Sequence, residues 1–115
     1  MRNKAINYLE VPSSDLPATK AFFTEVFDWQ FTDYGGEYSA FDTPEMQGGF
    51  YHADTPSLTR TGGVLVVFYC EDLASCRQQI EKAGGRIVKP IFAFPGGQRF
   101  HFSEPGGSEF AVWSE

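Results

Sequence analysis

Gly36-Glu37-Tyr38-Ser39-Ala40-Phe41-Asp42-Thr43-Pro44 and, 61 residues further on, Gly97-Gln98-Arg99-Phe100-His101-Phe102-Ser103-Glu104-Pro105 follow one plan. Each leaves a Gly-Gly pair, runs through a strand-length stretch with phenylalanine at the same place (Phe41, Phe102), and stops at a proline. Upstream of each copy an aspartate precedes an apolar helical pattern, Asp15-Leu16 corresponding to Asp72-Leu73 at an offset of 57. A plan written twice in 115 residues indicates internal duplication.

The rest of the chain divides accordingly. All twelve glycines fall in Gly-Gly pairs, which read as turns between elements. None forms a GxGxxG or P-loop pattern. In the first half, Ala5 to Val11 reads as a strand, and Asp15 caps a helix carrying Leu16, Phe23, Val26 and Phe27. Residues 29–34, 37–43 and 47–51 read as three strands. In the second half, Val64 to Cys70 is a continuous apolar run of the kind buried on both faces. Asp72 then caps a helix with Leu73, Cys76, Ile80 and Ala83 in one stripe, and residues 86–94, 98–103 and 108–113 read as strands. Residues 52–62 lack apolar periodicity and read as a linker. The expectation is a single α+β domain over residues 1–115, made of two βαβββ modules (1–51 and 63–115). A lone module would leave a sheet face uncovered, so the two should form a curved mixed sheet around a shared cleft.

The net charge of −6 is lopsided: residues 1–58 hold three basic and nine acidic side chains, residues 59–115 six of each. An acidic chain without a Lys/Arg stripe is unsuited to nucleic acid, and attraction of a cationic ligand is the sharper reading of the charge. No run of 18 apolar residues and no basic start before an apolar stretch is present, so neither a membrane span nor a signal peptide is expected. Cys70 and Cys76 lack CxxC spacing and read as reduced, buried thiols of a cytoplasmic protein. Aromatics make up 17% of the chain, twelve of them phenylalanine, which is more ring surface than a small core needs. Spare rings line pockets or interfaces.

The stretch Ile6-Asn7-Tyr8-Leu9-Glu10-Val11-Pro12-Ser13-Ser14-Asp15-Leu16, followed by Ala21-Phe22-Phe23, resembles the opening of vicinal oxygen chelate proteins. Glu104-Pro105-Gly106-Gly107-Ser108-Glu109-Phe110 is similar to their DPDGNxxE hairpin, and the resemblance spans essentially the whole chain. The superfamily includes glyoxalase I, bleomycin-binding resistance proteins, fosfomycin-modifying enzymes and extradiol dioxygenases. The resemblance implies the paired-module fold and a homodimer, while the chemistry varies among members. In the metal-dependent members, side chains from both halves hold one divalent ion. The correspondence puts Tyr8 at the first-strand histidine, Val66 at the second-module histidine, Ala111 at the C-terminal glutamate, and the remaining ligand near Phe50. Valine, alanine and phenylalanine cannot coordinate, and tyrosine is a poor ligand, so neither a metal nor another cofactor is expected.

Strand alternation then sorts the faces. With Tyr8 toward the cleft, Glu10 shares its side while Leu9 and Val11 meet the helices. Phe100 and Phe102 pack under a helix, leaving Arg99, His101 and Ser103 on the cleft side, matched by Tyr38, Ala40 and Asp42 in the first module. The candidate ligand-binding set is Tyr8, Tyr38, Phe50, Val66, Phe68, Arg99, His101, Glu109, Ala111 and Trp113. Arg99 suits a carboxylate or phosphate, and His101 a proton shuttle, which makes them the candidate catalytic pair. The plainer readings are an Arg99–Glu109 ion pair and a histidine satisfied by hydrogen bonds. The expected function is metal-free binding of a small, partly apolar organic molecule. The alternatives are a metal-independent lyase or isomerase using His101 and Arg99, or a divergent metal-dependent relative of glyoxalase or dioxygenase type.

Overall fold

Asp15 and Asp72 cap the two helices in the same way. In α1 (Leu16–Phe27) the Asp15 carboxylate accepts from the Ala18 N–H at 3.1 Å, and in α2 (Leu73–Lys82) Asp72 accepts from the Ser75 N–H at 3.1 Å. Each such cap is worth about 1 kcal/mol. The computed structural model describes every residue, Met1–Glu115, and places each helix in a βαβββ module. The first module has β1 (Tyr8–Ser13), β2 (Gln30–Asp33), β3 (Tyr38–Asp42) and β4 (Gln47–His52) in the order β1-β4-β3-β2. The second has β5 (Val66–Tyr69), β6 (Arg86–Phe94), β7 (Gly97–Ser103) and β8 (Glu109–Ser114) in the matching order β5-β8-β7-β6. Each outer pair, β1–β4 and β5–β8, is parallel and the rest are antiparallel.

One hydrophobic core serves both modules. Phe23 of α1 lies 5.2 Å from Phe50 in the first sheet and 5.3 Å from Phe110 in the second, ring centre to ring centre. Phe27 stacks on Phe68 at 4.1 Å, and Phe22 reaches Phe102 at 5.8 Å. Both sheets therefore turn one side toward α1. Their other sides face away from the core and carry Tyr8, Tyr51, Val67, Tyr69 and Phe92, all large and exposed.

Two expectations change. The β5 strand is not buried on both faces, since Val67 and Tyr69 are exposed while Val66 and Phe68 pack against the core. No helix covers its second side. The segment after β4 is also more structured than a linker, with a single 3-10 turn at Thr59–Thr61. Its backbone is tied to β8, the Ser57 carbonyl accepting from the Glu109 N–H at 2.8 Å.

In β4, Gly48 and Gly49 sit within the strand. A Cβ on Gly48 would run into the Leu9 carbonyl oxygen and the Phe41 ring, and one on Gly49 into the Tyr38 ring. The pair lets one aromatic ring lie flat on each side of the sheet.

The modules are joined by a buried polar chain. The Asp15 N–H donates to Ser13 Oγ, the Ser13 hydroxyl to Thr19 Oγ1 (2.7 Å), and the Thr19 hydroxyl to Glu104 Oε1 (2.7 Å). Gly106 closes the chain by donating its N–H to the same Oε1, and a side chain there would strike Ser13 and Thr19. Glu104 is 2% exposed and its Oε2 has no partner. Burial pushes its carboxyl up, more than the Thr19 and backbone hydrogen bonds push it down. A carboxyl raised in the folded state makes the ionised fold less stable, and the loss is relieved as pH falls through that raised value. Glu104→Gln keeps the Oε1 acceptor and removes the charge. It is expected to stabilise the protein by about 1 kcal/mol at pH 8. The gain should shrink toward zero near pH 4, as read by urea unfolding at both values.

Candidate functional site

Alternation in β7 and β8 sends Phe100, Phe102, Phe110 and Val112 into the core and Arg99, His101, Glu109, Ala111 and Trp113 to the outward face. On that face three side chains form a line. Glu109 Oε2 lies 2.7 Å from His101 Nδ1, and His101 Nε2 lies 3.1 Å from Arg99 Nη2. A guanidinium can only donate, so Nε2 accepts and the imidazole carries its proton on Nδ1, pointed at the carboxylate. His101 is a neutral bridge between an anion and a cation, 4% exposed. Its only lone pair is already used, and in this arrangement it positions Arg99.

Glu109 is held from the other side by the segment between the modules. Its Oε1 accepts from the Thr59 N–H at 2.9 Å and the Thr59 hydroxyl at 3.0 Å. Burial works to raise its carboxyl, but the bonds from Thr59 and His101 outweigh this and hold it below the usual range. At the far end, the Arg99 guanidinium lies 5.9 Å from the Phe92 ring and 5.6 Å from the Phe94 ring. Both distances suit cation–π attraction. Trp113 meets Tyr69 edge-on at 5.0 Å and Phe94 at 6.1 Å.

The first sheet has its own outward cluster. Tyr8 and Tyr38 hydroxyls are 2.7 Å apart, and Tyr38 donates to Glu10 Oε2 at 2.9 Å. Tyr8 therefore donates to Tyr38, leaving its oxygen lone pairs outward. Burial first, then the bonds to Tyr8 and Glu10, raises the Tyr38 phenol above its ordinary value. Tyr51, opposite Tyr38 in the ladder, completes this face.

Of the ten candidate residues, Tyr8 and Tyr38 stand on the first outward face, and Arg99, His101, Glu109, Ala111 and Trp113 on the second. Phe50, Val66 and Phe68 do not join them. Phe50 is fully buried, and Val66 and Phe68 share the side of Phe110 and Val112. All three line an apolar hollow of about 500 Å³ beside α1, together with Trp29, Phe41 and Met46. Their outward neighbours are Tyr51, Val67 and Tyr69, which the sequence reading missed, as it missed Thr59. No hydrogen bond or ring contact joins the two outward faces, whose clusters lie within their own sheets.

The positions matching metal ligands fail as a donor set in either register. Tyr8 and Ala111 point outward, Phe50 and Val66 inward, and the outward residues flanking the latter two within their strands are Gly49, Tyr51 and Val67. A phenol or two among apolar side chains does not hold a divalent ion. Nowhere do three His, Cys, Asp or Glu side chains come together in a metal-holding group.

Residues 5–112 match the model of the Glyoxalase/Bleomycin resistance protein/Dioxygenase superfamily. Among solved structures, the chain is similar to a glyoxalase-related enzyme from Fulvimarina pelagi (TM-score 0.78, 17% identity, covering 97% of this chain and 88% of that one). It is also similar to lactoylglutathione lyase from Agrobacterium tumefaciens (0.73, 17%, 99% and 96%). A third is the bleomycin-binding protein of Streptomyces verticillus in complex with copper(II)-bleomycin (0.67, 11%, 100% and 99%). Among curated proteins none matches the sequence.

Proposed function

The chain belongs to the glyoxalase/bleomycin resistance protein/dioxygenase superfamily, and from that premise we propose that it binds a small, partly apolar organic molecule without a metal ion. The ligand lies between the outward face of the first sheet of one copy and that of the second sheet of another. The observation that carries this reading is the exposure of Tyr8, Tyr51, Val67, Tyr69 and Phe92 on the sides turned away from the core. Rings left in water on a sheet face favour a site or an interface.

Charge supports the pairing of unlike faces. Glu10 and Asp42 stand on the first outward face, and Arg86, Lys89 and Arg99 on the second, by the ladder register. Under a two-fold axis each copy offers its acidic face to the other's basic one, so both clefts close at once. Two unpaired thiols, Cys70 and Cys76, with burial pushing Cys76 up to about 12, suit a reducing cytoplasm.

The test is a titration with 1-naphthol, an uncharged aromatic, followed by tryptophan emission with and without EDTA. Saturable quenching that EDTA leaves unchanged, and that Tyr69→Ala abolishes with Trp113 kept as the reporter, is the expected result. Absence of binding, or its loss with EDTA, would overturn the proposal. Sedimentation at micromolar concentration is expected to give twice the chain mass, and a monomer would remove the two-copy cleft.

A further inference from the structure

We infer that the ligand carries a doubly charged oxyanion head, held in a hollow that Arg60, Arg86 and Lys89 form at one end of the second outward face. The inference builds on the small-molecule reading above and adds the charge of the ligand, which is opposite to what the net charge of the chain suggests.

The hollow has a volume of about 970 Å³. Its walls come from three separate parts of the chain: the segment of Pro56 to Arg60, the start of β6, and the β7–β8 hairpin around Glu104 to Gly107. Arg60, Arg86 and Lys89 all line it, and none of them is in an ion pair. Two carboxylates also line it, and each is hydrogen-bonded within the protein through at least one oxygen. Glu109 is bound by Thr59 and His101, and Glu104 accepts from Thr19 and Gly106 and is held toward its neutral form by burial. Ser103, also in the wall, makes no side-chain hydrogen bond within the protein.

Three exposed cations around one concavity attract an anion. Fifteen acidic side chains are available in this chain, yet none forms an ion pair with any of these three. The backbone contributes as well. The β6–β7 ladder breaks register on both sides of Lys89, between Ile87 and Lys89 and again before Phe92. Such irregularities re-aim a side chain and cluster beside functional sites. Here they leave Lys89 opposite His101, on the face of the Glu109–His101–Arg99 line. Two guanidinium forks, an ammonium and a hydroxyl are the donor set of a dianionic oxyanion, a phosphate ester or a dicarboxylate. An apolar body attached to that head would extend toward Phe92.

The probes are inorganic phosphate, malonate, phenyl phosphate, benzyl alcohol and phenyltrimethylammonium, at a constant ionic strength of about 0.15 M. In amide NMR spectra, millimolar phosphate or malonate is expected to shift Arg60, Arg86 and Gly107, while chloride does not. Whichever of the two acts identifies the head. Phenyl phosphate should bind about tenfold or more tighter than benzyl alcohol. Arg86→Gln and Lys89→Gln, both at exposed positions, should each weaken phenyl phosphate about five- to tenfold and leave benzyl alcohol and the melting temperature unchanged. The inference falls if neither dianion shifts these amides, if phenyltrimethylammonium binds more tightly than phenyl phosphate, or if the two variants bind phenyl phosphate like the parent. Saturable 1-naphthol binding without any dianion response would sink this inference alone. Dianion shifts without 1-naphthol binding would leave the hollow and remove the aromatic cleft.

Discussion

Phe23→Ala is expected to remove about 4 kcal/mol of stability, the upper range for deleting a fully buried phenylalanine. A domain of this size has roughly 5–15 kcal/mol in all, so the variant should be largely unfolded in mild urea or at 37 °C. The reason lies in its place between the modules. The ring is 0% exposed and meets Phe22, Phe27, Trp29, Phe50, Phe68 and Phe110 at centroid distances from 4.7 to 6.3 Å. Its neighbours belong to both sheets, so neither can collapse onto the void without pulling away from the other. Packing loss adds to transfer loss where a site cannot relax. Phe92→Ala is the control: the side chain is 39% exposed on the outward face, and its loss should change stability by less than about 1 kcal/mol. Equal costs for the two variants in urea unfolding would mean that the modules do not share one core.

The repeat, the helix caps and the succession of strands and helices were legible because each has a local signal. Gly36–Pro44 and Gly97–Pro105 became β3 and β7 with their flanking turns, and both aspartates cap as their sequence context implies. Faces were legible where polar and apolar residues alternate. Arg99-Phe100-His101-Phe102 can be sorted on sight, because each core phenylalanine is flanked by a polar side chain. The same reasoning slipped by one residue where alternation is hidden. Val64 to Tyr69 is apolar throughout, and the hydroxyl of Tyr69 is its only marker of the outward side. In β4 the two glycines erase the parity that would have placed Phe50 inward and Tyr51 outward. The position of Thr59 under Glu109 could not be read either, since 50 residues separate them and nothing local announces the contact.

The arrangement of the modules has a different kind of obscurity. A βαβββ unit must cover one sheet face with its helix; α2 packs against β6 and β8, and α1 reaches both sheets through Phe23. The opposite faces can then be covered only by something outside this core. Sequence shows that such faces exist. It does not show whether they meet within one chain or between two.

Glu109→Ala is expected to cost about 3 kcal/mol, the upper range for leaving buried donors without their acceptor. It removes the acceptor of three donors: Thr59 N–H, Thr59 Oγ1 and His101 Nδ1. The His101 proton is then buried without a partner, and Arg99 loses the anion at the end of the line. Glu109→Gln does little better, at about 2 kcal/mol. Every partner of the carboxylate needs an acceptor, so an amide turns at least one N–H against another donor. Shifting the His101 proton to Nε2 would relieve one clash only by making another with Arg99. The pH dependence has a defined sign. The Glu109 carboxyl is lower in the fold than in the unfolded chain, so its stabilisation is complete above the unfolded value, about 4.3. It is lost as pH falls through the folded value. Glu104 acts in the opposite direction, and a Glu104→Gln background isolates the Glu109 term. In that background, Glu109→Ala should destabilise fully at pH 7 and progressively less below about pH 4. Hydrogen exchange at the Thr59 amide should quicken by about tenfold or more in native conditions, reporting the freed segment. An unchanged Thr59 amide together with a cost under about 0.5 kcal/mol, the size of an ordinary surface substitution, would show that the carboxylate does not anchor this face.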